Sequence, residues 1–232
     1  MRVISKKVIT FDTPVPVYDI TSPKNSNFTL DNGAVVHNSA KQARFPQYQE
    51  ILPLKGKILN VMKGSGKKGD RAFESEEVMN ILIGIGYDPS SKDPLSNLRI
   101  GKLILLADPD PDGRHINTLI LTLIAKYLPG MFERGLIYVI NLPEYVMVHG
   151  KKNYFGDSPK DIESKLPKGV PLKHVQHIKG LGESNPTQLR ELAFDPNTRK
   201  LLKVKKVDKK EMQEFTLLMS DNIEYRKELL GV

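Results

Sequence analysis

The chain has 232 residues, 39% of them apolar and 27% charged, with a formal charge of +8 and no cysteine. That length allows one large domain or two small ones, and the positive balance favours a polyanionic partner, nucleic acid before membrane. The lack of cysteine excludes disulfides, thiolate metal sites and a cysteine nucleophile, and no apolar run reaches the roughly 18 residues of a membrane span. The start, MRVISKKVITF, lacks the continuous apolar centre of a signal peptide, so a cytoplasmic protein is expected.

Residues 1–38 read as short strands at 2–11, 15–21, 28–30 and 34–36, punctuated by Pro14, Pro16, Pro23 and the turn Asp31-Asn32-Gly33. Asn-Gly between apolar runs is a hairpin signal. A few short strands cannot bury a core alone, so this piece is expected to complete a sheet made by something else.

The texture changes at Ser39. Residues 64–69, GSGKKG, read as a flexible basic linker. Over 74–85, Val78, Ile81, Leu82 and Ile85 recur at helical spacing, with Ser75 as the N-cap. Residues 103–107 form a continuous apolar run, the mark of a strand covered on both faces. The run ends in Asp108-Pro109-Asp110-Pro111-Asp112-Gly113, and a helix follows with Leu119, Ile120, Leu123, Ile124 and Tyr127 on its buried side. Residues 136–140 read as another buried strand, and 145–148 with 153–155 as a hairpin around His149-Gly150. Strand, helix, strand in one unit implies a parallel sheet with a right-handed crossover. The tail, 158–232, reads as mostly amphipathic helix, starting at caps such as Ser158 and Asn185-Pro186.

Asp108, Asp110 and Asp112 are the chemical signal. Three carboxylates at alternate positions are expected to converge on a hard cation, which offsets their mutual repulsion. A calcium loop of the EF-hand type also begins D-x-D-x-D-G, but its twelfth position must be a bidentate Glu, and here it is Leu119 inside an apolar helix. It also needs a helix before the loop, where this chain has a strand. Carboxylates at the carboxyl end of a buried parallel strand sit where open α/β sheets bind ligands.

The stretches SAKQAR (39–44), ILPLKGKILNV (51–61), DPDPDGRHINTLILT (108–122), ERGLIYV (133–139), IKGLGESNPTQL (178–189) and LMSDNIEYRKE (218–228) stand in one order along the chain. In that order they resemble the C-terminal half of the gyrase B subunit family of type II DNA topoisomerases. The resemblance implies a Toprim domain, a magnesium site formed by Asp108, Asp110 and Asp112, and double-stranded DNA as partner. It also implies that a separate A-type subunit carries the tyrosine nucleophile and that ATP binds in a part preceding this segment. Lys57 and Asn60 match positions that contact DNA. Pro109 and Pro111 depart from the family's usual D-A-D-x-D-G. PLKGKILN and IKGLGE argue against a primase or a repair nuclease. The family's opening motif, a Glu in E-G-D-S-A, belongs where residues 1–38 stand, and it is expected to be absent from this chain.

What stands there has its own chemistry. An Asn side-chain amide can attack its own carbonyl carbon, forming a succinimide and cutting the chain, with a neighbouring His as acid or base. A following Ser can accept an acyl group. VPVYDITSPKNSNFTLDNGAVVHN (15–38) resembles the two closing motifs of an intein, with Asp19, Asn27-Phe28, Gly33 and His37-Asn38 in register. The resemblance implies the C-terminal fragment of a split intein, with Asp19, His37, Asn38 and Ser39 acting in splicing. Ser26 stands where the second motif often has a His, which places more of the assistance on His37.

The expected organisation is therefore an all-β intein fragment at 1–38, an α/β Toprim domain at 39–157 without its first strand and Glu, and a helical tail at 158–232. The expected function is a precursor that splices to an N-terminal fragment at Asn38/Ser39 and completes the B subunit of a topoisomerase. The alternative is a subunit that assembles without ligation and carries an inert intein remnant.

Overall fold

The computed structural model describes residues 27–29, 35–37, 39–63, 71–150, 152–178 and 180–231. The expected strands at 2–11 and 15–21, the linker at 64–69, and the site residues Asp19 and Asn38 lie outside the described residues.

Two short strands, β1 (Asn27–Thr29) and β2 (Val35–His37), pair antiparallel with Asn27 opposite His37. A helix, α1 (Ser39–Ala43), begins immediately beyond. Residues 44–63 carry no regular element, and a 3₁₀ turn at Arg71–Glu74 leads into α2 (Glu76–Ile85). The N-cap is Ser75, whose hydroxyl accepts from the Val78 N–H, and Val78, Ile81, Leu82 and Ile85 are the buried face. Gly86 closes the helix in the left-handed region at φ 96°, and a side chain there would collide with the Asn97 carbonyl.

The central unit follows the expected order. Strand β3 (Leu103–Leu105) leads to the long α3 (Pro111–Tyr127), then to α4 (Gly130–Glu133) and β4 (Ile137–Ile140), and β3 and β4 are parallel. Leu103 and Leu105 pack into the core formed with α2 and α3, while Ile104 and Leu106 pack against a second core on the other side. Apolar residues at consecutive positions are thus used on both faces of the sheet. On α3 all five expected residues, Leu119, Ile120, Leu123, Ile124 and Tyr127, are buried. Leu123 is fully buried at the centre of that core. Leu123→Ala is expected to cost about 2–5 kcal/mol, read as a lowered midpoint in thermal or urea unfolding.

The hairpin is β5 (Tyr145–His149) with β6 (Lys152–Gly156), and Gly150 at its turn has φ 62°. The tail supplies α5 (Pro159–Lys165), capped by Ser158, then β7 (Gln176–His177), α6 (Pro186–Leu189), β8 (Leu201–Lys203), α7 (Lys209–Met219) and α8 (Ile223–Leu230). Asn185 caps α6 in a reciprocal capping box with Gln188. The tail is less helical than its sequence suggests. Strand β7 joins β5 in a second small sheet, and β8 pairs antiparallel with β4, making the main sheet β3-β4-β8. Both strands are too short to show an alternation of their own, and most of their residues are exposed. Neighbouring strands, not their own pattern, decide their state. Helix α7 lies along α3, with Met212, Phe215 and Met219 against the first core. Among the described residues, no helix is long and apolar enough to cross a membrane.

Candidate active site at the carboxyl end of the parallel strands

The carboxylate loop leaves β3 and becomes helix at Pro111. Asp110 is the N-cap of α3, its Oδ1 accepting from the Gly113 N–H at 2.7 Å. Proline at the first helical position fits because the N–H it lacks would have no partner there. Gly113 allows the close approach, since a side chain there would collide with the Asp108 carbonyl oxygen. The Arg114 Nη1 donates to the Pro109 carbonyl at 3.0 Å and closes the loop from the helix side.

Two distant segments meet these carboxylates. The Leu181 N–H donates to Asp108 Oδ1 at 2.8 Å, so the turn at 180–183 sits over the loop. Lys57 Nζ reaches Asp112 Oδ1 at 2.7 Å. The hydrogen bond from Lys57 and then its positive charge hold the Asp112 carboxyl below the usual carboxylate range, with a smaller pull from His115. The pair is at the surface, with side-chain exposures of 46% for Lys57 and 75% for Asp112.

The expected convergence of three carboxylates is not what the structure holds. Among the described residues no three His, Asp or Glu side chains gather where one ion could bind them. For Asp112 the reason is local: alternate residues share a side only in extended chain, and from Pro111 the backbone turns about 100° per residue, while Asp110 is held by its cap bond and Asp108 by the Leu181 N–H. Asp108, Asp110 and Asp112 therefore point to different partners. The donor chemistry still suits a hard divalent cation. Each carboxylate spends Oδ1 on a protein donor, and among the described residues no hydrogen bond or ion pair engages Oδ2 of any of the three.

Asn60, three residues beyond Lys57, is already partly committed. Its Nδ2 donates to the Met219 carbonyl at 3.0 Å and its Oδ1 accepts from the Met62 N–H at 3.0 Å. The first bond ties residue 60 to the end of α7, the second closes residues 60–62 on themselves, and Lys126 Nζ on α3 adds a second tie through the Val61 carbonyl at 2.9 Å. Gly113 stands in the carboxylate motif itself, whereas nothing in the sequence marks Leu181 for this site. The D-G step was a signal for the glycine, whereas a backbone N–H arriving from 73 residues away leaves none.

At the other candidate site, β2 ends at His37 and Ser39 is the first residue of α1. Helix α1 is held by a fully buried Ala43 and by Arg190, whose Nη2 donates to the Gln42 carbonyl at 2.9 Å. The Arg190 guanidinium also lies 4.8 Å from the Phe45 ring centroid. Further on, Gln49 Nε2 donates to the Phe194 carbonyl at 2.7 Å.

Comparison with known proteins matches residues 36–142 to the Toprim domain and residues 172–231 to the DNA gyrase B subunit, carboxyl terminus. Neither family covers residues 1–35. Similar curated proteins are the DNA topoisomerase 4 B subunit of Escherichia coli (45% identical over 180 residues) and the DNA gyrase B subunits of Thermus thermophilus (37% over 213) and Synechocystis sp. (34% over 220). These alignments cover 75%, 90% and 93% of this chain but only 28%, 33% and 20% of the relatives. The chain thus spans between a fifth and a third of their length.

Proposed function

We propose that this chain, which joins a Toprim domain to a gyrase B carboxyl-terminal region, provides the carboxylates and part of the DNA surface in the B subunit of an ATP-dependent type II topoisomerase. One observation carries the reading. A carboxylate loop sits at the carboxyl end of β3, within the Toprim match, and a backbone N–H from the gyrase B carboxyl-terminal match is bonded to it. Asp108, Asp110 and Asp112 do not gather round one point, so their Oδ2 atoms would hold Mg²⁺ only together with the Glu of the N-terminal partner, and the ion when bound would supply electrostatic stabilisation of the charge that develops at a scissile phosphate. The chain's own part is to place Asp110 and Asp112 at the start of α3 with Asp108 in the loop before it, and to present Lys57 and Asn60 to the duplex backbone. The tyrosine nucleophile would come from an A-type subunit, and ATP would bind in another part of the complete enzyme.

The experiment is a salt titration of duplex binding. Each phosphate contact releases about one condensed counterion, so Lys57→Ala should weaken binding and lower the slope of log K against log salt by about 1. An unchanged slope returns Lys57 to the ordinary solvated surface.

The proposal extends to residues 1–38 as the closing fragment of an intein that splices at Asn38/Ser39. The chemistry of His37-Asn38-Ser39 supports it. The N-terminal partner would supply the rest of the intein, its first nucleophile, and the strand and Glu that open the Toprim motif. In the competing reading residues 1–38 are inert and the subunit assembles without ligation. Mixing with the partner separates them, because splicing yields one longer polypeptide and excised fragments.

A further inference from the structure

We propose that the Lys57–Asp112 ion pair is an autoinhibitory latch, in which the carboxylate masks the ammonium that would otherwise meet a nucleic-acid phosphate. The inference rests on the reading of Lys57 as a phosphate contact. Three features of the pair support it. Its two members stand 55 residues apart, on an irregular segment and on the first turn of α3, and they meet at 2.7 Å. The meeting is at the surface, where an incoming duplex would reach it. Both sides are also held in place. Asp112 follows a helix cap made by Asp110, while the Lys57 segment is pinned three residues on by Asn60 and again through Val61 by Lys126. An ammonium has three hydrogens, but a phosphate seated on it beside Asp112 would stand against a like charge. Phosphate and carboxylate therefore compete. An exposed pair is weak and screened by salt, so the latch lowers affinity for free duplex without closing the site.

The test uses the full chain, a short fluorescein-labelled duplex and fluorescence anisotropy in low salt with EDTA, for wild type, Asp112→Asn, Lys57→Ala and the double variant. Circular dichroism checks that each is folded. Asp112→Asn should tighten binding about two- to fivefold, the range of an exposed ion pair. In the Lys57→Ala background the same change should do nothing, because no ammonium is left to unmask. A gain that persists undiminished without Lys57 overturns the latch and assigns the effect to general charge. So does weakened binding by Lys57→Ala with no gain from Asp112→Asn. If Lys57→Ala binds as wild type, the reading of Lys57 itself fails, and the latch with it.

Discussion

If the proposed function holds, replacing Asp108 and Asp110 together with Asn is expected to lower magnesium-dependent DNA cleavage by the complete enzyme about 10³-fold, with the fold intact. The size follows from the several kcal/mol by which a bound metal stabilises transition-state charge. The survival of the fold follows from the hydrogen bonds. Asn is as good an N-cap as Asp, so position 110 still accepts from the Gly113 N–H, and an Asn carbonyl at 108 still accepts from the Leu181 N–H. Only the two charges are removed. Plasmid cleavage measured against magnesium concentration, beside a thermal melt, reads both halves of the result. Cleavage at the wild-type rate with unchanged magnesium dependence would sink the metal assignment.

The proposed splicing would carry the other large effect. In the assembled intein, Asn38→Ala removes the attacking amide and keeps the Ser39 hydroxyl, so a branched intermediate should accumulate in place of product. Ser39→Ala removes the acceptor, so ligation should stop while cleavage after residue 38 continues. His37→Ala should slow cyclisation by about 10²–10⁴-fold, the range for lost acid–base assistance. Mass spectrometry of the mixed fragments separates the three outcomes. Spliced product from Asn38→Ala at the normal rate would overturn the role assigned to Asn38, and the intein reading with it. Ser39→Ala leaves the helix it opens intact, because α1 is anchored further along by Ala43 and the Arg190 bond to Gln42.

Much of this molecule was legible as one-dimensional pattern. Ser75, Ser158 and Asn185 were readable as caps because a cap is a bond between residues three apart. The buried stripe of α3 and the two-sided burial of β3 were readable because side-chain period follows backbone geometry. The order of strand, carboxylate loop, helix and parallel strand follows from the same signals, as does the place of the loop at the strands' carboxyl end. The three aspartates at alternate positions pointed to hard-cation chemistry, and among the described residues their side chains do not converge.

The tertiary structure decided which group each of them meets. Lys57 with Asp112, Leu181 with Asp108 and Asn60 with Met219 are partners 55, 73 and 159 residues apart, and no local window contains them. The same holds for β8, three residues whose strand character comes from lying beside β4. Even the arrangement of the carboxylates turned on where extended chain gives way to helix. A period of two would have gathered their side chains, but helix from Pro111 onward turns Asp112 away from the other two. Sequence determined the local elements and the chemical types at the site, because those depend on interactions within a few residues. Pairing between distant segments depends on how the whole chain closes, and that was decided only in three dimensions.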